Sequence, residues 1–107
     1  MEIGAVNPNV FEDQPYKLGS FGNPDAGVRQ LALDHMDECI EIMKATGSKS
    51  LSLWFGDGTN FPGQDSIVRR KHCFEELLRE VYRRLPASAR MLVENKPFEP
   101  AFYHMDV

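Results

Sequence analysis

Cysteine is scarce in this chain, with Cys39 and Cys73 the two in 107 residues. They stand far apart, each inside a helical pattern, and no C-x-x-C pair or Cys/His cluster at zinc spacing occurs. A disulfide scaffold and a zinc module are excluded, and reduced, buried thiols are expected. Basic charge is also short: 12 Lys and Arg face 16 Asp and Glu, for a net charge of -4. A nucleic-acid surface needs a clustered cationic excess to displace counterions from phosphate. The one dense basic run, Arg69-Arg70-Lys71, is followed by Glu75/Arg79 and Glu80/Arg84 at the i, i+4 spacing of a solvated helix face. No nucleic-acid partner is expected. Long apolar runs are missing as well, since no stretch approaches the ~18 consecutive residues of a membrane span. The start, Met1 to Val6, lacks the basic opening and long apolar core of a signal peptide. No membrane partner and a cytoplasmic location are the corresponding expectations.

What is present is the composition of one globular domain over residues 1–107, 42% hydrophobic and 26% charged. Ile3 to Val6 reads as a short strand ending at Asn7-Pro8-Asn9, and the Gly, Pro and Asn residues up to Asn23 read as a long loop. Asn23 as N-cap, Pro24 at the first position and Asp25 against the dipole predict a helix start. Val28, Leu31, Ala32, Met36, Cys39, Ile40 and Met43 then recur at helical period, and Gly47 supplies a C-terminal cap. Leu51 to Phe55 reads as a second strand, with Leu51, Leu53 and Phe55 on one face and Ser52 and Trp54 on the other. A second helix is predicted from about Ser66 to Leu85, its apolar stripe made of Ile67, Phe74, Leu77, Leu78, Val81, Tyr82 and Leu85, with Pro86 stopping it. A third strand runs from Met91 to about Asn95.

The resulting order is β-loop-α-β-loop-α-β, which implies right-handed parallel crossovers and an α/β class. Glu94 and Lys96, two residues apart at the end of the third strand, project from one face, together with Ser52 and Trp54. No remaining helix covers that polar face, and a barrel lumen beside an active site is where such residues belong. A (β/α)8 barrel takes ~250 residues and eight strands. The expectation is therefore a parallel βαβαβ segment of an incomplete TIM barrel, a piece of a larger enzyme.

The run Glu94-x-Lys96-Pro97-x-Glu99-Pro100 resembles the strand-five signature of the xylose-isomerase-like sugar isomerases, and the rest of the chain resembles their L-rhamnose isomerase branch. Supporting phrases are Asn7-Pro8-Asn9, Glu38 to Ile42 through Gly47-Ser48-Lys49, Leu53 through Gln64, and Glu99 through Tyr103. The resemblance covers about strand three to strand five of that barrel. It implies interconversion of an aldose and its ketose by moving hydrogen between C1 and C2, at a divalent ion pair. Manganese is the first choice, with magnesium, cobalt or zinc as alternatives. By motif position, Glu94 looks like a carboxylate ligand of the structural metal, apt because hard divalent ions favour carboxylate oxygen. Lys96 looks like the group on the carbonyl-side oxygen, where an ammonium stabilises growing negative charge. Trp54 looks like an aromatic wall of the sugar pocket. Asp57, Asn60 and Gln64 fall in the matching loop and Glu99 beside Pro100, as substrate-orienting or subunit-interface positions. The resemblance further implies a homo-tetrameric full enzyme acting on a small sugar, and allows a cis bond at Glu99-Pro100. Asn95 stands where some members of the branch carry His and classical xylose isomerases carry Pro.

Blander roles exist for the same residues. Glu94 and Lys96 could form a surface pair worth at most ~1 kcal/mol, and Trp54 alone could be core packing. His35 and His72 have no partner at ligand spacing and read as helix-surface or interhelical residues, His104 as a loop residue, and Met36, Met43 and Met91 as core filler. Two rival functions are open: a metal-dependent phosphodiester hydrolase on the same barrel, and a truncated, non-catalytic half-barrel acting through association. The 107 residues alone are expected to show no turnover, because one carboxylate does not hold a metal pair.

Overall fold

A computed structural model describes residues 3–57 and 65–95. Three short strands, β1 (Ala5–Val6), β2 (Ser50–Leu53) and β3 (Arg90–Val93), alternate with helices α1 (Ala26–Thr46) and α2 (Ile67–Arg84). All pairings are parallel and the sheet order is β1-β2-β3, with Ala5 opposite Ser50 and Ser50 opposite Arg90. The α/β reading as a parallel βαβαβ segment therefore holds. Successive right-handed crossovers without a reversal of order place both helices on one face of the sheet. There they touch, and Arg84 reaches across to Asp37 at 2.5 Å.

The helix side carries the core. Leu51, Leu53 and Phe55 alternate inward from β2 and its extension, against Ala32, Leu33, Met36, Cys39, Ile40 and Met43 of α1 and Val81 of α2. Ser52 and Trp54 point to the other face and are only half-buried, as alternation requires. Both thiols are free, Cys39 buried and Cys73 half-buried. No helix among the described residues is long and apolar enough to cross a membrane.

Three local expectations are corrected. The α1 cap is Asp25 rather than Asn23: Asp25 accepts from the Gly27 N–H at 2.7 Å, while Asn23 is buried, its amide donating to the Gly19 carbonyl at 2.7 Å and its oxygen accepting from the Asp25 N–H. Asn23 thus braces the loop and passes the cap two residues on. The long loop also contains a short 3-10 helix, Gln14–Leu18, begun by a proline that suits a first turn. Finally, Leu31, Ile67 and Tyr82 lie outside the buried stripes, at 45%, 45% and 66% exposure. Gly47 ends α1 in the left-handed region at φ 73°, and Ser66 caps α2 by accepting from the Arg69 N–H.

Candidate functional site

Each strand delivers a side chain or loop to the C-terminal edge of the sheet. β1 runs into Asn7-Pro8-Asn9, β2 into Trp54, and β3 into Glu94. The Glu94 N–H donates to the Leu53 carbonyl at 2.8 Å, carrying the β2–β3 ladder one step beyond the strand and setting Glu94 beside Trp54. On the face free of helices these residues line a cleft of about 450 Å³ with Asn7, Pro8, Asn9, Phe11 and Ser52. Phe11 meets the Trp54 ring edge-on, with centroids 4.7 Å apart. The cleft is mixed in character: Pro8, Phe11 and Trp54 give an apolar wall, and Asn7, Asn9, Ser52 and Glu94 give hydrogen-bonding groups. Such a balance suits a ligand with C–H faces and several hydroxyls.

Sequence reasoning placed Ser52, Trp54 and Glu94 on this face, and the structure brings the three together. Lys96, Asn60, Gln64 and Glu99, the Glu99-Pro100 bond and His104 lie outside the described residues. Phe11 was missed, because a loop residue has no periodicity to betray it. The Asn7-Pro8-Asn9 phrase was the available signal for its neighbours.

Asp57 does not line the cleft; it is 3% exposed and points into the loop that precedes α1. Its Oδ2 accepts from the Ser20 and Gly22 N–H groups at 2.7 and 2.8 Å, and its Oδ1 from the Ser20 hydroxyl at 2.7 Å. Gly19 and Gly22 let the loop approach this closely, for a Cβ on Gly19 would sit 2.6 Å from Asp57 Oδ2, and one on Gly22 would sit 2.6 Å from Arg70 Cγ. Burial pushes the Asp57 carboxyl up, and the bonds from Ser20 and Gly22 and the nearby Arg70 charge offset only part of that.

Arg70 corrects the expectation of a solvated basic run, being 4% exposed. Its Nη1 lies 4.0 Å from Asp57 Oδ2, and its Nε and Nη2 donate to Asp65 at 3.1 and 2.6 Å. Asp65 also takes a two-pronged contact from Arg69 Nη2, at 2.9 and 2.8 Å. Partial burial opposes ionisation of Asp65, yet these guanidinium bonds and the Ser66 N–H hold its carboxyl down at about 2. The expected Glu80/Arg84 pair forms, whereas Glu75 pairs with Lys71 and His72 rather than with Arg79; His35 pairs with Glu38 on the surface of α1.

Among the described residues no three His, Cys, Asp or Glu side chains gather to hold a metal ion. Glu94, exposed at the cleft, is an oxygen donor of the kind a hard divalent ion takes, and fits as a single ligand, which alone does not make a metal site. Asp57 is unsuited, since its oxygens are already engaged by Ser20 and Gly22.

Over 108 residues the chain is 44% identical to a probable sugar isomerase of Rhizobium meliloti (strain 1021), covering 96% of this chain and 25% of that protein. It is 45% identical over 104 residues to a probable sugar isomerase of Mesorhizobium japonicum, covering 92% of this chain and 24% of the relative. A xylose isomerase of Solibacter usitatus is 26% identical over 106 residues, 92% of this chain and 23% of that enzyme. The chain thus spans about a quarter of the length of the curated relatives it matches. No protein-family model matches it.

Proposed function

We propose that the chain is the strand-three to strand-five segment of a divalent-metal-dependent aldose-ketose isomerase of (β/α)8 fold, most like L-rhamnose isomerase, which converts L-rhamnose to L-rhamnulose. The observation that carries the reading is the cleft at the strand ends, where Glu94 and Trp54 come from neighbouring strands onto the helix-free face. Likeness to proteins named sugar isomerase and xylose isomerase supports it. The unreversed strand order supports a barrel, whose lumen faces away from the helices and whose chemistry sits at the strand C-terminal ends.

In this mechanism Glu94 contributes a carboxylate to the metal site, with the other ligands supplied beyond the described residues. Glu94 would help hold a divalent ion, manganese first, whose chemistry when bound would be Lewis-acid polarisation of the sugar's oxygens. Lys96 stabilises the negative charge that grows on the carbonyl-side oxygen as hydrogen passes between C1 and C2. Trp54 lays its indole along the C–H face of the open-chain sugar and keeps water from the reacting carbons. The full enzyme acts in the cytoplasm as a homo-tetramer.

The test is made on the full-length protein carrying this segment. Purified with Mn2+, it interconverts L-rhamnose and L-rhamnulose, loses activity in EDTA and recovers it on metal return. Glu94→Gln lowers metal affinity and turnover by roughly 100-fold or more, at least the upper end of what losing an outer-shell partner of a metal ligand costs. Full activity in Glu94→Gln, or activity indifferent to EDTA, would refute the assignment.

A further inference from the structure

The apolar wall of the cleft is assembled by contacts from two separate segments. Asn9 Oδ1 accepts from the N–H groups of Phe11 at 3.3 Å and Glu12 at 3.2 Å, while its amide donates to Glu12 Oε2 at 2.7 Å. This side-chain turn fixes the backbone on which Phe11 stands. Phe11 then crosses to Trp54, ring edge against ring at 4.7 Å and 72°. Beneath the pair lies Gly56, where a Cβ would come within 3.1 Å of Phe11 Cβ and 3.7 Å of Trp54 Cη2. Phe11 nevertheless keeps 37% of its surface exposed, so its packing serves the edge of the cleft rather than the core.

We infer that Phe11 is a positioning residue of the cleft: held by the Asn9 turn and seated over Gly56, it fixes the plane in which Trp54 presents its indole to a sugar. The ligand side of this inference rests on the proposed sugar-isomerase reading; the ring-locking side rests on geometry alone. An unrestrained indole turns about two side-chain torsions, and a neighbour in edge contact removes that freedom before the ligand arrives. The apolar face of a pyranose or open-chain aldose then meets an already oriented surface.

Trp54 is the chain's single tryptophan, so its spectroscopic signals need no deconvolution. The near-UV circular dichroism of the indole is compared in the wild-type chain, Phe11→Leu, which keeps apolar bulk but loses the ring, and Phe11→Tyr, which restores the ring. The expected result is a tryptophan band in wild type, its loss in Phe11→Leu and its return in Phe11→Tyr. A band absent from wild type, retained in Phe11→Leu or not restored by tyrosine overturns the ring-locking. In the full-length protein, Phe11→Leu raises KM for L-rhamnose about three- to tenfold, with kcat changed less, because the lost contribution is pre-organisation. An unchanged KM alongside a lost band overturns the sugar-facing part. Failure of wild-type full-length protein to isomerise any aldose, with the band behaving as expected, overturns the isomerase reading and leaves the positioning of Trp54 standing.

Discussion

Replacing Asp57 by alanine should unfasten the loop before α1. The structure allows the size of the effect to be worked out. Asp57 is 3% exposed and accepts three hydrogen bonds, two from backbone N–H groups and one from the Ser20 hydroxyl. Alanine removes every acceptor, and a buried donor left without a partner costs about 1–3 kcal/mol. The Ser20 hydroxyl can turn elsewhere, but the two amides cannot. Arg70 also loses the more distant of two balances to its buried charge, at 4.0 Å, while Asp65 still holds its Nε and Nη2. The expected loss is about 3–5 kcal/mol, typical of breaking a buried ionic contact by deleting one partner. An Asp57→Asn variant should behave differently. The asparagine oxygen can replace Oδ2 as acceptor for both N–H groups, and its amide can donate to a rotated Ser20 hydroxyl. The substitution also removes the desolvation that raises the Asp57 carboxyl. We expect Asp57→Asn to cost no more than about 1 kcal/mol. Urea unfolding of the 107-residue chain, followed by far-UV circular dichroism, measures both. An alanine variant within about 1 kcal/mol of wild type, on the order of an ordinary surface change, would refute the clamp. So would an asparagine variant as damaging as alanine.

Acid titration should separate the two buried-network carboxylates. The folded Asp65 carboxyl is held down at about 2, so it contributes stability above the unfolded value near 3.9 that is lost as pH falls from there through about 2, roughly 2 kcal/mol in all. Asp57, raised when folded, works in the opposite direction and favours folding as pH drops through its elevated value toward the unfolded one. The Asp65→Asn variant should therefore lack the steep acid loss in unfolding midpoint; an unaltered curve would disprove the pairing. Gly47→Ala places a Cβ at φ 73° and should cost about 1 kcal/mol in the same unfolding assay, a neutral result counting against the left-handed cap. The isolated 107 residues should isomerise no aldose, and measurable turnover by an uncontaminated preparation would overturn that. Leu92 and Val93 lie 48% and 46% exposed on β3, so size-exclusion chromatography with light scattering should show association; a dispersed monomer at high concentration would contradict an open sheet.

The elements were legible because their signals are local. Gly47, Ser66 and Pro86 mark helix ends by backbone chemistry that acts within a turn, and the alternation of Leu51 to Phe55 sorted β2 into a core face and a cleft face. The same alternation assigns Ser52, Trp54 and Glu94 to one face, where they line one cleft. What stayed hidden depends on contacts between distant segments. The sequence around Arg70 does not announce its burial, since its run reads as charged surface and its partner Asp57 comes from beyond the end of β2. Asp57 looked like a loop position because the donors to its oxygens, Ser20 and Gly22, lie across the fold. Phe11 acquires its role only when the Asn9 turn folds it against Trp54.

The parallel pairing of Ala5 with Ser50 and of Ser50 with Arg90 has a kinetic consequence. Each strand meets its neighbour only after an entire helix and two connections have been drawn into a closed loop, so entropy is spent before the sheet returns any of it. The rate-limiting step of folding should then carry α1 and α2 largely formed, with the sheet zipping late. Destabilising α1 through Met36 or Ile40 would slow folding, whereas changes at the Glu94 end of β3 would chiefly speed unfolding.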